Sequence, residues 1–242
     1  ISEALNQTGY VYLKLGDLNK ALDKFNEAIK ITKDQNDKWG LAGVYNNLGI
    51  MLQNAGRFEK AMEYYNNALN IYEELGDQVM ELILLGNIGT LNFDLKDYAK
   101  AEEYHLKGLK ISRELNEKNQ EATNLLNLAN NQVFLGKFDE AMSNYITGLQ
   151  IAQSLNSPDL IWKTTAGMAE TWERKGNYEK AVELNDTVLK IIEGMRNTLQ
   201  SDEQKSSFMA SERYVFEDVI NLLSMLHEKD GTKGYDKLAF RY

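Results

Sequence analysis

Cysteine is absent from the 242 residues, and proline occurs once, at Pro158. Without cysteine there is no disulfide framework, no thiolate nucleophile and no cysteine-ligated metal. A single proline and an ordinary share of glycine leave little room for a long disordered linker. No apolar run reaches the roughly eighteen residues of a membrane span. Excess positive charge is missing too. The formal net charge is −9, whereas a nucleic-acid reader usually carries a basic face, so neither nucleic acid nor membrane is an expected partner. No H-E-x-x-H, P-loop or glycine-rich fingerprint occurs. We therefore expect no cofactor, no metal and no catalytic constellation.

What the sequence does contain is a column that recurs every forty residues: Gly16, Gly56, Lys96, Gly136 and Gly176. Ala21, Ala61, Ala101, Ala141 and Ala181 follow in step, with Phe25, Tyr65, His105 and Tyr145 just beyond. Self-similarity at a fixed period signals a solenoid, in which one supersecondary unit stacks on copies of itself. Residues 37 to 76 show the unit. Asp37 is a helix cap, and Leu41, Val44, Tyr45, Leu48 and Leu52 follow at helical spacing.

Gly49 sits inside this helix, where glycine costs about 1 kcal/mol against alanine. Its column is Gly9, Gly89, Ala129 and Ala169, which predicts close approach of a neighbouring helix. Gly56 ends the first helix in the left-handed C′ conformation. A second helix from Phe58 to Glu74 turns Ala61, Tyr65, Ala68, Leu69 and Tyr72 inward. Asn36, Gly76, Asn116 and Asn156 end the second helices, all types that tolerate left-handed geometry. Of the Asp37, Asp77, Glu117 and Ser157 that follow, we expect the two aspartates and the serine to cap the next helix.

This order of small and aromatic residues resembles the tetratricopeptide repeat, in a long form of about forty residues that lacks the family's usual proline. Five aligned copies carry the resemblance over about residues 1 to 195. It implies an all-α fold, a right-handed superhelix or α-solenoid of five helix pairs. The resemblance also implies that the first helices line a concave groove. The candidate groove residues are then Gln7, Asn47, Asn87 and Asn127 in one column, and Tyr10, Thr90, Asn130 and Glu170 in a second, three residues on.

Carboxamides both donate and accept. At the solenoid's pitch they suit successive peptide groups of an extended polypeptide, whatever its side chains. Asn46, Asn124 and Asn131 nearby are read as background asparagine. Phe93 and Phe134 are candidate apolar pockets, with a core or inter-repeat role as the other reading. Some relatives clamp a terminal carboxylate with Lys and Arg. Here only Lys163 and Arg174 are basic at the corresponding positions, beside Glu170 and Glu173, which argues against a clamp. His105 stands in the aromatic column and is read as a core histidine. His227 ends the long helix of the tail, where a cation suits the dipole.

The period breaks after Gly176. Residues 196 to 242 are read as a longer, incomplete sixth helix pair, with residues 202 to 229 as one long helix. Phe208, Val215, Val219, Leu222 and Leu226 form one apolar stripe, and Met209, Phe216, Ile220 and Leu223 a second. A helix apolar on two sides is buried on two sides. We expect the first stripe to seal the repeats, and the second to meet a following domain or another copy of the chain. Met195-Arg196 to Leu199, Ser207-Phe208, Tyr214 to Leu226, and Gly234-Tyr235 with Ala239-Phe240 resemble the junction between tetratricopeptide repeats and a CHAT domain in bacterial proteins.

CHAT domains are caspase-like cysteine proteases. That resemblance implies a piece of a longer protein whose repeats dock a polypeptide and regulate the protease. The alternative is the sensor arm of a bacterial signalling protein, such as a histidine kinase or a peptide-gated regulator. A scaffold or homo-oligomer without a ligand is a third reading. No signal-peptide pattern stands ahead of the first repeat, and we expect a cytoplasmic protein.

Overall fold

The computed structural model describes residues 1–239, which form two compact units, Ile1–Leu135 and Gly136 onward. Phe240, part of the junction pattern, lies outside the described residues. The first unit holds α1 (Ser2–Lys14), α2 (Leu18–Asp34), α3 (Lys38–Asn54), α4 (Phe58–Leu75), α5 (Gln78–Asp94), α6 (Tyr98–Glu114) and α7 (Lys118–Phe134). The second holds α8 (Phe138–Ser154), α9 (Pro158–Arg174), α10 (Tyr178–Thr198), α11 (Asp202–Lys229) and the short α12 (Tyr235–Ala239). No strand occurs among the described residues.

Each turn between helices up to α10 passes through one left-handed residue. Gly16, Gly56, Gly76, Gly136 and Gly176 take φ between 68° and 77°. Asn36, Asn116 and Asn156 do the same at 50–56°, and Lys96 at 62°. Lys96 thus breaks the glycine column in sequence while keeping its conformation. The next helix is then capped where a short acceptor is available. Asp17, Asp37, Asp77, Asp97 and Asn177 each accept from a backbone N–H three residues on. Ser157, expected to cap, makes no such bond. Pro158 follows it at the first helical position and carries no N–H, so one orphan donor is already gone.

In the first unit α1, α3, α5 and α7 touch one another in turn. No Cα of α2 comes within 8 Å of α4, nor any of α4 within 8 Å of α6. The first helices therefore sit closer together than the second helices, and this unit curves toward them. Small residues let each first helix pack closely on the second helix of its own repeat. A Cβ on Gly9 would lie 2.7 Å from the Phe25 ring, and Gly49 and Gly89 abut Tyr65 and His105 in the same way. The fully buried Phe25, Tyr65 and Tyr72 each stabilise the stack by roughly 1.5–3 kcal/mol.

Polar groups enter the core at α6 and α7. Glu121 is buried between Arg113 at 2.9 Å and Lys118 at 2.8 Å. Burial raises its pKa, but the hydrogen bonds from Lys118 and Arg113 outweigh that and hold the carboxyl below its usual range. His105 is 1 % exposed and donates a hydrogen bond to Asn124. Gly108 replaces the Ala28 and Ala68 of earlier repeats, and a Cβ there would lie 2.7 Å from Oδ1 of Asn124.

In the second unit Trp162, Val188, Leu189 and Ile192 of α9 and α10 are buried with Val215, Val219 and Leu223 of α11. Ser201 and Gln204 close a capping box ahead of α11. Leu223 is a correction: assigned to the second stripe, it is fully buried among the first. It stands four residues after Val219, within the width of a single amphipathic face. The second side of α11 is thereby reduced to Met209, Phe216 and Ile220, all half-buried. Of these, Phe216 packs with Tyr235 and Leu238 of α12 on the shared cluster.

Candidate ligand-binding face

The exposed side of the first helices in the first unit carries nine of the twelve candidate residues. Asn47 and Asn87 are half-buried and bonded across repeats. Nδ2 of Asn47 donates to Oδ1 of Asn6 at 2.9 Å, and Nδ2 of Asn87 donates to Oδ1 of Asn46 at 2.8 Å. Each is a rung between neighbouring first helices. Asn127 occupies the same position in α7, but the acceptor column that reads Asn6 and Asn46 holds Gly86 there.

The asparagines read as background have structural places. Asn46 is a rung acceptor. Asn124 bonds His105. Asn131 is fully buried with neither carboxamide atom hydrogen-bonded. Asn6 and Asn46 were legible, since they precede the candidate column by one residue and keep the forty-residue step.

Gln7 and Thr90 are exposed, and Tyr10 and Asn130 half-buried. Nζ of Lys14 lies 5.3 Å from the centre of the Tyr10 ring. The Thr90 hydroxyl donates to its own helix, to the Gly86 carbonyl at 3.0 Å. Phe93 and Phe134 meet edge to face with centroids 5.0 Å apart, and Tyr98 stacks on Phe134 at 5.0 Å. This three-ring cluster joins successive repeats, and Phe134 remains 40 % exposed at its edge. Tyr98, which completes it, was not among the expected site residues. It stands two residues after the period-breaking Lys96, in a column that otherwise reads Leu18, Phe58, Phe138 and Tyr178.

The remaining three candidates lie on α9 in the second unit. Lys163 pairs with Asp159 at 2.8 Å, and Arg174 pairs with Glu170 at 2.8 Å, both one turn apart on the same helix. Burial, helped by Glu170, raises the pKa of Glu173, and Arg174 opposes the rise. Both basic groups are thus engaged by carboxylates of their own helix. No cluster of three or more metal-ligating side chains occurs among the described residues, and none of their helices is long and apolar enough to cross a membrane.

The sequence matches no curated protein. Solved structures share the fold at low identity. BtubC (BKLC) from P. vanneervenii superposes with a TM-score of 0.71 at 23% identity, over 83% of this chain and 82% of that one. A Rap protein complexed with Competence and Sporulation Factor gives 0.70 at 18% identity, over 98% and 71%. A Signal Transduction ATPase with Numerous Domains from Pyrococcus horikoshii, described as having a tetratricopeptide repeat sensor, gives 0.72 at 18% identity. That match covers 95% of this chain but 36% of the ATPase. One tetratricopeptide-repeat family model matches residues 40–114 and again 80–154, and a second matches residues 2–35. Together they span more than half of the sequence, so the chain belongs to the tetratricopeptide repeat family.

Proposed function

We propose that the chain is a non-enzymatic scaffold that holds an extended polypeptide against the first-helix face of α1, α3, α5 and α7. The observation that carries this reading is the row of carboxamides at one-repeat spacing on the side toward which the unit curves. Charged groups are sparse in those columns, and the aromatic cluster at Phe134 offers apolar area beside them. Each hydrogen bond contributes only about 0.5–1.5 kcal/mol net, so side-chain contacts must supply the remainder. His105, the buried histidine, serves packing and has no exposed face for chemistry. The solved Rap complex supports a bound-factor reading by analogy of fold.

A degenerate decapeptide pool tests the proposal, with a pool of N-methylated backbone as control. Binding of the first pool and not the second supports it. Failure of both to bind at millimolar concentration overturns it.

A second reading concerns what the arm serves. The similar fold of a repeat sensor within a larger signalling ATPase supports a sensor arm, and the half-buried Met209 and Ile220 on α11 support contact with an effector domain. A CHAT protease is the effector that the tail's sequence pattern suggests. The full-length gene decides between a downstream His–Cys dyad and a kinase or ATPase domain.

A further inference from the structure

The carboxamide row is not uniform, and its one irregularity is informative. Two rungs are complete, Asn6 with Asn47 and Asn46 with Asn87. At the third, Gly86 stands where the acceptor belongs, and no described residue hydrogen-bonds the side chain of Asn127. A Cβ built on Gly86 would meet nothing within 4 Å. Thr90, one turn on, keeps its hydroxyl folded onto the Gly86 carbonyl and so does not fill the space. The result is a notch one side chain deep, with a half-buried carboxamide at its edge.

From this vacancy we infer that the peptide main chain of the ligand seats at Gly86 and Asn127, one ligand carbonyl accepting from Nδ2 of Asn127 in place of the missing asparagine. The inference rests on the polypeptide-binding reading above and narrows it to one rung. The two complete rungs show the required geometry, with acceptor oxygens 2.9 and 2.8 Å from the donating nitrogen. They also show why Asn47 and Asn87 are weaker candidates, because a ligand must break or share an existing bond there.

The neighbours on the same helix faces are Ile83 and Thr90 on α5, and Thr123 and Asn130 on α7. None is charged, so the notch suits a neutral dipole such as a peptide group and not a carboxylate.

The test follows the side-chain amide signals of asparagine in ¹⁵N-labelled protein during titration with the degenerate decapeptide pool. The Asn127 signal should move most. Gly86→Asn, which restores the third rung, should weaken binding at least tenfold with unchanged helicity and melting. Gly86→Ala adds only a methyl group in open space and should retain binding. Asn127→Ala should weaken binding as Gly86→Asn does, and serves as the second variant if the asparagine disturbs folding. If the pool binds wild type and Gly86→Asn equally, or leaves Asn127 unmoved, the notch is refuted while the face reading stands. If the pool does not bind wild type at all, both fall.

Discussion

The ring of His105 lies against the backbone of Gly89, so closely that a Cβ there would sit 2.7 Å from Nε2. Burial drives the ring's pKa from 6.5 down to about 4, against the opposing hydrogen bond that the ring donates to Asn124. The folded chain thus keeps the imidazole neutral where the unfolded chain protonates it. This contribution to stability is complete above about pH 6.5 and is lost as pH falls toward 4, by about 3 kcal/mol at most. Denaturant midpoints across that window should fall with pH in wild type. His105→Tyr paired with Asn124→Leu recreates the Tyr65 and Leu84 arrangement of the preceding repeat and should flatten that limb. An unaltered pH slope in the double variant would refute the assignment.

Two helix-interior glycines should respond to alanine with opposite signs. Gly86 faces open space, so Gly86→Ala should gain about 1 kcal/mol from helix propensity. Gly49 lies on the Tyr65 ring, whose hydroxyl is held by Gln53 at 2.8 Å. The same propensity gain there is outweighed by an overpacking cost of about 1–3 kcal/mol. Urea unfolding of the two variants measures the difference directly.

Lys96 pays a steric penalty that its glycine counterparts avoid, since φ is 62°. Lys96→Gly should raise stability by about 1 kcal/mol, with no change in helicity. A lower unfolding midpoint would show that the lysine side chain makes a contribution the backbone argument omits.

Asn87→Ala with Asn127→Ala should weaken polypeptide binding by roughly 1–3 kcal/mol. Most of that loss should come from Asn127, and Asn87→Ala alone should chiefly lower stability by stranding the buried Asn46 acceptor. Calorimetry on the single and double variants separates the two effects.

Met209→Asp with Ile220→Asp on α11 should leave the melting of the chain unchanged and abolish association with a following domain. Phe216 is unsuitable for this test because its ring packs on the cluster with α12. Full-length protein in which the double variant docks normally, by limited proteolysis, would remove α11 from the coupling.

The forty-residue columns made the helices legible because periodicity, left-handed C′ residues and aspartate caps all agree at the same positions. Gly9, Gly49 and Gly89 signalled close packing for the same reason. The rungs were half legible. Asn47 and Asn87 stood out, and Asn6 and Asn46 keep the same forty-residue step one residue earlier, but their pairing was hidden, because a hydrogen bond between repeats leaves no mark in either column alone. Leu223 was misplaced because two stripes one residue apart on a helix overlap in space. The polar interior at His105 and Asn124 became readable only when Gly108 was seen to yield room that an alanine would fill.

Asn47 bonds a residue 41 positions earlier, and Gln53 bonds Asp94 41 positions later. One repeat is the reach of each. A newly made repeat in the first unit therefore finds such partners as soon as its neighbour leaves the ribosome, without waiting for the chain's far end. Short reach of this kind favours fast, stepwise folding. It also confines damage: a lesion in one repeat deprives its two neighbours of partners and leaves more distant repeats with theirs.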